Sequence, residues 1–145
     1  MLERPVKPAG EARRRVALVV WGAQVMALVM FFALTRVVGG GSGAAGEGRA
    51  LLLALAAAGL TTFALSFVLK AKLLAQAAER RRPELATSAY VVAFALCEAA
   101  ALFGLVAHFA TGAPEALYFF VPAAVGLALH FPRRRDFEGP AGGAA

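Results

Sequence analysis

The chain has 145 residues, a length typical of one domain. Hydrophobic residues make up 60% of it and charged residues only 17%, whereas soluble domains are roughly 45–50% apolar and about 25% charged. This composition excludes an ordinary soluble domain and favours a protein of the lipid bilayer. The formal charge of +6 does not indicate nucleic-acid binding, because the basic residues flank apolar runs and no aromatic residues are interleaved with them.

Four apolar segments follow one another, and we predict an all-α, integral membrane four-helix bundle. The segments cover residues 16–35, 50–69, about 86–110 and about 116–131. The first three match the roughly 20 residues that a spanning helix needs. The fourth is shorter and contains Pro122, which neighbouring groups can accommodate in a membrane helix. The second helix is predicted to continue into the cytoplasm to about residue 80, where the chain approaches Pro83.

The basic residues are unevenly distributed between the flanks of these segments. They concentrate before the first segment, between the second and third, and after the fourth, whereas the other two links hold only Arg36 and Arg49. Short loops rich in Lys and Arg stay in the cytoplasm. This pattern predicts a multi-pass protein of the bacterial inner (plasma) membrane with both termini cytoplasmic.

The resulting domain organisation has three parts. We predict a basic cytoplasmic tail at residues 1–15, a four-helix transmembrane domain at residues 16–131, and a disordered cytoplasmic tail at residues 132–145. The lipid bilayer is the predicted partner, since each basic residue near anionic headgroups contributes about 1 kcal/mol of attraction. No nucleic acid is expected as a partner.

Small residues recur at every fourth position on the second and third helices. One row on the second helix contains Ala54, Ala58, Thr62 and Ser66, and two neighbouring rows on the third contain Ala93, Cys97 and Ala101, and Ala100, Gly104 and His108. Small residues at this spacing let membrane helices approach closely. We therefore predict that the second and third helices pack tightly as antiparallel neighbours.

Glu98 is the most unusual residue of the chain, because it lies near the middle of the apolar third segment. An acidic residue at the centre of a membrane helix costs about 2.5–3.5 kcal/mol, and desolvation favours its neutral form. We expect Glu98 to face other helices and to be protonated, hydrogen-bonded or both. Its candidate partners are Gln24 and Thr62, which lie at similar predicted depths, and Ser66, on the neighbouring second helix. Two interpretations stay open: a neutral acid that holds the bundle together, and a reversible proton or cation site.

The sequence carries no sign of enzymatic chemistry. It contains no nucleophile–base pair, no metal cluster and no cofactor motif. The single cysteine, Cys97, excludes an intramolecular disulfide. We therefore predict that the protein is not an enzyme and has no catalytic residue, no metal and no cofactor.

One short stretch resembles a known membrane subunit. Arg81-Arg82-Pro83-Glu84-Leu85, then Ala95-Leu96-Cys97-Glu98-Ala99 and Gly104-Leu105-Val106, look like the polar loop and second helix of the rotor-ring subunit c of F- and V-type ATP synthases. The resemblance covers about residues 81–107. In that family a mid-membrane acid carries the transported ion, which implies that Glu98 is the ion carrier. Ala99 supplies no hydroxyl beside the acid, which makes sodium less favourable than a proton.

A second resemblance, over about residues 87–137, covers more of the chain. The stretches ALCEAAALFGLVAHFATG and HFPRRRDF are similar to small four-helix bacterial membrane proteins of unknown function. This resemblance implies a fold and a location, and we prefer it. The expected role is a structural or accessory subunit, as a homo-oligomer or in a larger membrane complex. The alternative is a proton-binding or proton-transporting element centred on Glu98.

Overall fold

The computed structural model describes residues 9–41, 47–82 and 84–137, and regular structure in this part of the chain is entirely helical. Four α-helices follow in chain order: α1 (Ala9–Val37), α2 (Glu47–Glu79), α3 (Glu84–Thr111) and α4 (Phe120–Leu129). A 3₁₀ helix, Pro114–Phe119, precedes α4, and a 3₁₀ turn, Arg134–Asp136, follows it. The all-α prediction and its four helices are confirmed.

Three of these helices, α1, α2 and α3, are long and apolar enough to cross a membrane. They contain 29, 33 and 28 residues, which at about 1.5 Å per residue gives lengths of about 42–50 Å. These lengths exceed the roughly 30 Å of a bilayer's hydrocarbon core. The predicted extension of the second helix to about residue 80 agrees with the end of α2 at Glu79.

The first helix begins earlier than the sequence analysis predicts. α1 starts at Ala9, so the basic residues before position 16 lie on the helix. Glu11 lies in its first turn and accepts a hydrogen bond of 3.0 Å from Arg15, one turn further on. Both the charge of Glu11 near the helix N-terminus and this pairing favour helix formation. Residues 9–15 of the predicted basic tail are therefore helical, while residues 1–8 lie outside the described part.

The fourth apolar segment is helical in two successive forms. Backbone angles remain helical across the junction, at φ −64° and ψ −24° for Phe119 and φ −71° and ψ −23° for Phe120. Pro122 has no N–H for the carbonyl of Tyr118, so an α-helical bond is missing just where the 3₁₀ form ends. Six 3₁₀ residues and ten α-helical residues together reach about 27 Å, because the rise is about 2.0 Å in the first form and 1.5 Å in the second.

Helix α3 is the centre of the bundle and contacts each of the other three helices. Its largest interface is with α2, as expected for antiparallel neighbours joined by a short turn. All of its buried positions except two aromatic ones are small, and the full set is Ala86, Ala89, Tyr90, Ala93, Phe94, Cys97, Ala100, Ala101, Gly104 and Ala107. These small side chains let the surrounding helices come close to its backbone.

The two ends of the bundle differ in their residues. At one end, Ala17, Leu74, Tyr90 and Phe137 pack in one apolar cluster. The basic residues of three flanks lie around or beyond this cluster, and we call it the basic end: Arg13, Arg14, Arg15, Lys70, Lys72, Arg80, Arg81, Arg82, Arg133, Arg134 and Arg135. Most of the described positive charge is therefore gathered at one end of the fold.

The opposite end, which we call the loop end, is closed by two glycine-containing segments in direct contact. Gly112, just after α3, has a φ of 65°, a left-handed conformation that favours glycine. A Cβ atom at Gly112 would collide with the carbonyl of Gly41, just beyond α1. His108 Nε2 also lies 3.4 Å from the Val38 carbonyl oxygen. The end of α1 is thus held against the end of α3.

Candidate functional site

Glu98 lies at the middle of α3, as the sequence predicts. Its side chain is half-buried, at the border between the packed and exposed faces of the helix. Ala101, three residues on, is completely buried, whereas Leu102, four residues on, is 40% exposed. The carboxyl therefore lies where the bundle meets its surroundings.

Two of the predicted partners of Glu98 use their hydroxyls elsewhere. Thr62 Oγ1 donates to the Gly59 carbonyl at 2.9 Å, within its own helix. Ser66 Oγ donates to the Phe63 carbonyl at 2.6 Å. Serine and threonine often return a hydrogen bond to the preceding helical turn in this way.

Gln24, the third predicted partner, lies on the face of α1 that packs on the bundle. Its Oε1 atom is buried and has no hydrogen-bond partner within the described residues. In the same part of the chain, Glu98 makes no hydrogen bond to Gln24, Thr62 or Ser66. The idea of a proton or ion site at Glu98 therefore stays a prediction.

A second group of polar residues occupies the basic end, where Tyr90 is its centre. Tyr90 is completely buried, and its hydroxyl donates a hydrogen bond to the Asp136 carboxylate. The same hydroxyl accepts a hydrogen bond of 3.2 Å from the Arg133 backbone N–H. The Phe137 ring stacks on the Tyr90 ring, with 5.3 Å between centroids, and the Lys70 ammonium lies 4.0 Å from the Tyr90 ring centroid. A buried tyrosine of this kind gains both packing and a partner for its hydroxyl.

These contacts correct the prediction of a disordered tail over residues 132–145. Residues 132–137 fold back against the bundle, where Phe137 is only 4% exposed and joins the apolar cluster of the basic end. Asp136 supplies an acceptor for Tyr90 at the same time. One aromatic anchor and one buried polar contact therefore order this segment. Residues 138–145 lie outside the described part.

His130, at the end of α4, is a second buried polar residue and is only 1% exposed. Its Nε2 atom lies 2.9 Å from Ser66 Oγ, which joins α2 to the end of α4. The Phe67 ring packs against the imidazole, with 4.4 Å between centroids. On the other side of α4, Trp21 Nε1 donates to the Leu127 carbonyl at 2.8 Å. Polar contacts thus hold α4 to both α1 and α2.

A cavity of about 270 Å³ opens beside this network at the basic end. Its walls combine apolar side chains of α2 and α4 with charged groups of α2 and the C-terminal segment: Phe67, Lys70, Ala71, Leu74, Leu129, His130, Arg133, Arg135 and Asp136. The Asp136 carboxylate lies 3.6 Å from Arg135 Nε. Three cationic side chains and one carboxylate give the cavity an excess of positive charge.

A second cavity, of about 360 Å³, lies further along α2 and α4 and is almost entirely apolar. It is lined by Ala56, Gly59, Leu60, Ala100, Tyr118, Phe119, Val121, Pro122 and Val125. Among the residues that the structure describes, no group of three or more His, Cys, Asp or Glu side chains is placed to hold a metal ion.

Comparisons of the chain with protein-family models, with curated proteins and with solved structures give no match.

Proposed function

We propose that the protein is a small polytopic protein of the bacterial inner membrane with a structural or accessory, non-enzymatic role in a larger assembly. The observation that carries this proposal is the unequal burial of its apolar helices. Within the most apolar window of each helix, 44% of α3 is buried, compared with 6% of α1 and 11% of α2. The fold thus encloses one apolar helix and leaves the outer faces of two others uncovered.

The uncovered faces are strongly apolar. Val19 and Met26 on α1 are 72% and 68% exposed, and Leu60 on α2 is 61% exposed. Soluble monomers rarely leave large contiguous apolar patches in water. Lipid or another membrane subunit is the natural cover for these faces.

The ends of the bundle support one orientation. The basic end gathers the Lys and Arg residues of three flanks, and such flanks stay in the cytoplasm. The fourth helical segment reaches about 27 Å, close to the roughly 30 Å of hydrocarbon. Four crossings then leave both termini on the cytoplasmic side.

The position of Glu98 supports an assembly over a solitary bundle. A half-buried carboxyl without an internal partner in the described residues is costly beside lipid. A neighbouring subunit against this side of α3 would cover the carboxyl and supply a hydrogen bond. That subunit is either a second copy of the chain or a different membrane protein.

The assembly is tested by purification in a mild detergent followed by native mass spectrometry. We expect a mass above that of the 15.0 kDa chain, from further copies or a co-purifying protein. Leu102→Trp, beside Glu98, should weaken this assembly because it adds bulk to the proposed contact. Val37→Trp is the matched control, because Val37 is 84% exposed at the end of α1. A single chain without companions in every mild detergent would contradict the proposed assembly.

Proton binding by Glu98 is the second candidate function, and one observation favours it. A carboxyl whose role is to hold the bundle together should be bonded to another helix, yet Glu98 has no such bond in the described part of the chain. At the border of the bundle it can instead take up a proton to become neutral and release it to a partner or to water. The resemblance of residues 81–107 to subunit c of ATP synthases implies the same behaviour.

A further inference from the structure

The two cavities lie in line along a single seam between α2 and α4. On α2, Leu60 belongs to the apolar cavity and Phe67 to the charged one. They are seven residues apart, or about two helical turns, and so share one face of the helix. On α4, Val125 lines the apolar cavity and Leu129 the charged one. These two residues also share one face, since residues four apart are neighbours on a helix surface. The seam is therefore apolar along most of its length and cationic at the basic end.

The rim of this seam is open. Leu60 and Val121 are 61% and 59% exposed, and Val125 and Leu129 are 45% and 54% exposed. Between the two cavities, a Cβ atom added to Gly126 would lie 3.3 Å from the Phe63 ring, so the helices touch in the depth of the seam. An apolar ligand chain bound in the seam would therefore lie over this helix contact, along the exposed rim.

The cationic end has the groups that a phosphate needs. Lys70 is half-buried, and its ammonium is held over the Tyr90 ring. Arg133 and Arg135 line the same cavity and are exposed. The one carboxylate among the lining residues, Asp136, already accepts a hydrogen bond from Tyr90. An anion with several acceptor oxygens can bond to these cations at once, and guanidinium groups match phosphate geometry well.

We propose that this seam binds one molecule of an acidic glycerophospholipid, with its phosphate at Lys70, Arg133 and Arg135 and an acyl chain along the apolar groove. The proposal rests on the membrane placement proposed above. Lys70 and Leu60 are ten residues apart on α2, about 15 Å along the axis at 1.5 Å per residue. This distance is half of the roughly 30 Å hydrocarbon core, so the site fits one leaflet. The basic end makes it the cytoplasmic leaflet.

The cationic end is expected to bind a phosphate group, which a lipid headgroup and free phosphate both carry. The apolar groove favours the lipid, since burial of each acyl CH₂ group adds to binding and free phosphate gains nothing there. Binding to delipidated protein in an uncharged detergent should therefore be measured by native mass spectrometry with three probes. These are phosphatidylglycerol, phosphatidylcholine of the same chain length, and inorganic phosphate. We expect one tightly bound phosphatidylglycerol, with the other two binding at least about tenfold more weakly.

Two pairs of variants test the cationic end. Lys70→Gln and Arg135→Gln should each weaken phosphatidylglycerol binding about tenfold, which corresponds to about 1.4 kcal/mol. The matched controls Lys72→Gln and Arg134→Gln remove exposed charges that do not line the cavity, and binding should change less than about twofold. If Lys70→Gln lowers the helical content, Lys70→Arg keeps the charge and should retain both fold and binding. Equal losses in tested and control variants would overturn the site in favour of diffuse attraction.

A third variant tests the groove. Val125→Trp fills it and should weaken phosphatidylglycerol binding while leaving the weak binding of inorganic phosphate unchanged. Full displacement of the lipid by inorganic phosphate, or equal binding of phosphatidylcholine, would overturn the proposal even if the protein stays in the membrane. Release of the protein from membranes by alkaline carbonate would instead overturn the membrane placement and the lipid site together.

Discussion

Gly104→Leu should destabilise the bundle more than a glycine-to-leucine substitution at an open position on the bundle surface. A single Cβ atom added at Gly104 would already lie 2.6 Å from Phe119 Cβ and 3.1 Å from the Ala116 carbonyl oxygen. Both belong to the 3₁₀ helix that precedes α4, so the whole fourth segment would have to move away from α3. Overpacking of a core typically costs about 1–3 kcal/mol, and we expect the upper part of that range here.

The matched control for this substitution is Gly22→Leu on α1. Among the described residues, no group beyond the surrounding turn of α1 lies within 4 Å of a Cβ atom placed there, and leucine is favoured over glycine in a helix by roughly 0.5–1 kcal/mol. Its stability should therefore be unchanged or slightly increased. Thermal unfolding in one detergent, followed by circular dichroism, should place the midpoint of Gly104→Leu about 10 °C below the wild type, at roughly 4 °C per kcal/mol. Equal midpoints for the two variants would contradict the packing of the fourth segment on α3.

The small-residue pattern predicts this contact only in part. Ala93, Cys97 and Ala101 on α3 are fully buried, as their spacing indicates. The spacing on α2 is a weaker guide, since Ala54 is exposed and Ser66 is buried. A repeat of small residues shows which face allows close approach, but the partner that uses it depends on the path of the whole chain. Here the partner of Gly104 is Phe119, in a 3₁₀ helix that hydropathy alone does not reveal.

Glu98→Gln should fold normally, and its effect on cellular function separates the two proposed roles. The amide has nearly the same shape and keeps most hydrogen-bonding capacity, so the unfolding temperature should stay close to that of the wild type. If Glu98 bonds to a neighbouring subunit as a neutral acid, both the assembly and its cellular function should persist. If Glu98 exchanges a proton, function should be abolished while the assembly stays intact, because an amide cannot release a proton under these conditions.

Dicyclohexylcarbodiimide, which reacts with protonated carboxyls in apolar surroundings, provides a direct chemical readout at this residue. We expect labelling at neutral pH to map to Glu98 and to vanish in Glu98→Gln. Sodium should give no protection, since Ala99 supplies no hydroxyl beside the acid. Protection by sodium would indicate a cation site instead. Absence of labelling would contradict a neutral, accessible Glu98.

The helices themselves follow from composition and hydropathy, whereas the basic end does not. Segment boundaries and the mid-helix place of Glu98 are local properties of the sequence. The bond between Tyr90 and Asp136 joins residues 46 positions apart, and no periodicity encodes such a pairing. The only local indication that this segment packs on the bundle is the pair of aromatic residues around the RRRD stretch, Phe131 and Phe137. The polar composition of this segment predicts a disordered tail, whereas Phe137 anchors it in the apolar cluster.

Substituted-cysteine labelling of intact cells tests whether the chain crosses the membrane four times with its basic end in the cytoplasm. In a Cys97→Ala background, Gly39→Cys places a thiol in the exposed loop end, where an added Cβ lies more than 4 Å from every described group except its chain neighbours. Arg134→Cys places one in the exposed basic end. A membrane-impermeant maleimide should label Gly39→Cys in intact cells, and Arg134→Cys only after the membrane is permeabilised. Labelling of Arg134→Cys in intact cells would contradict the fourth crossing and the cytoplasmic basic end.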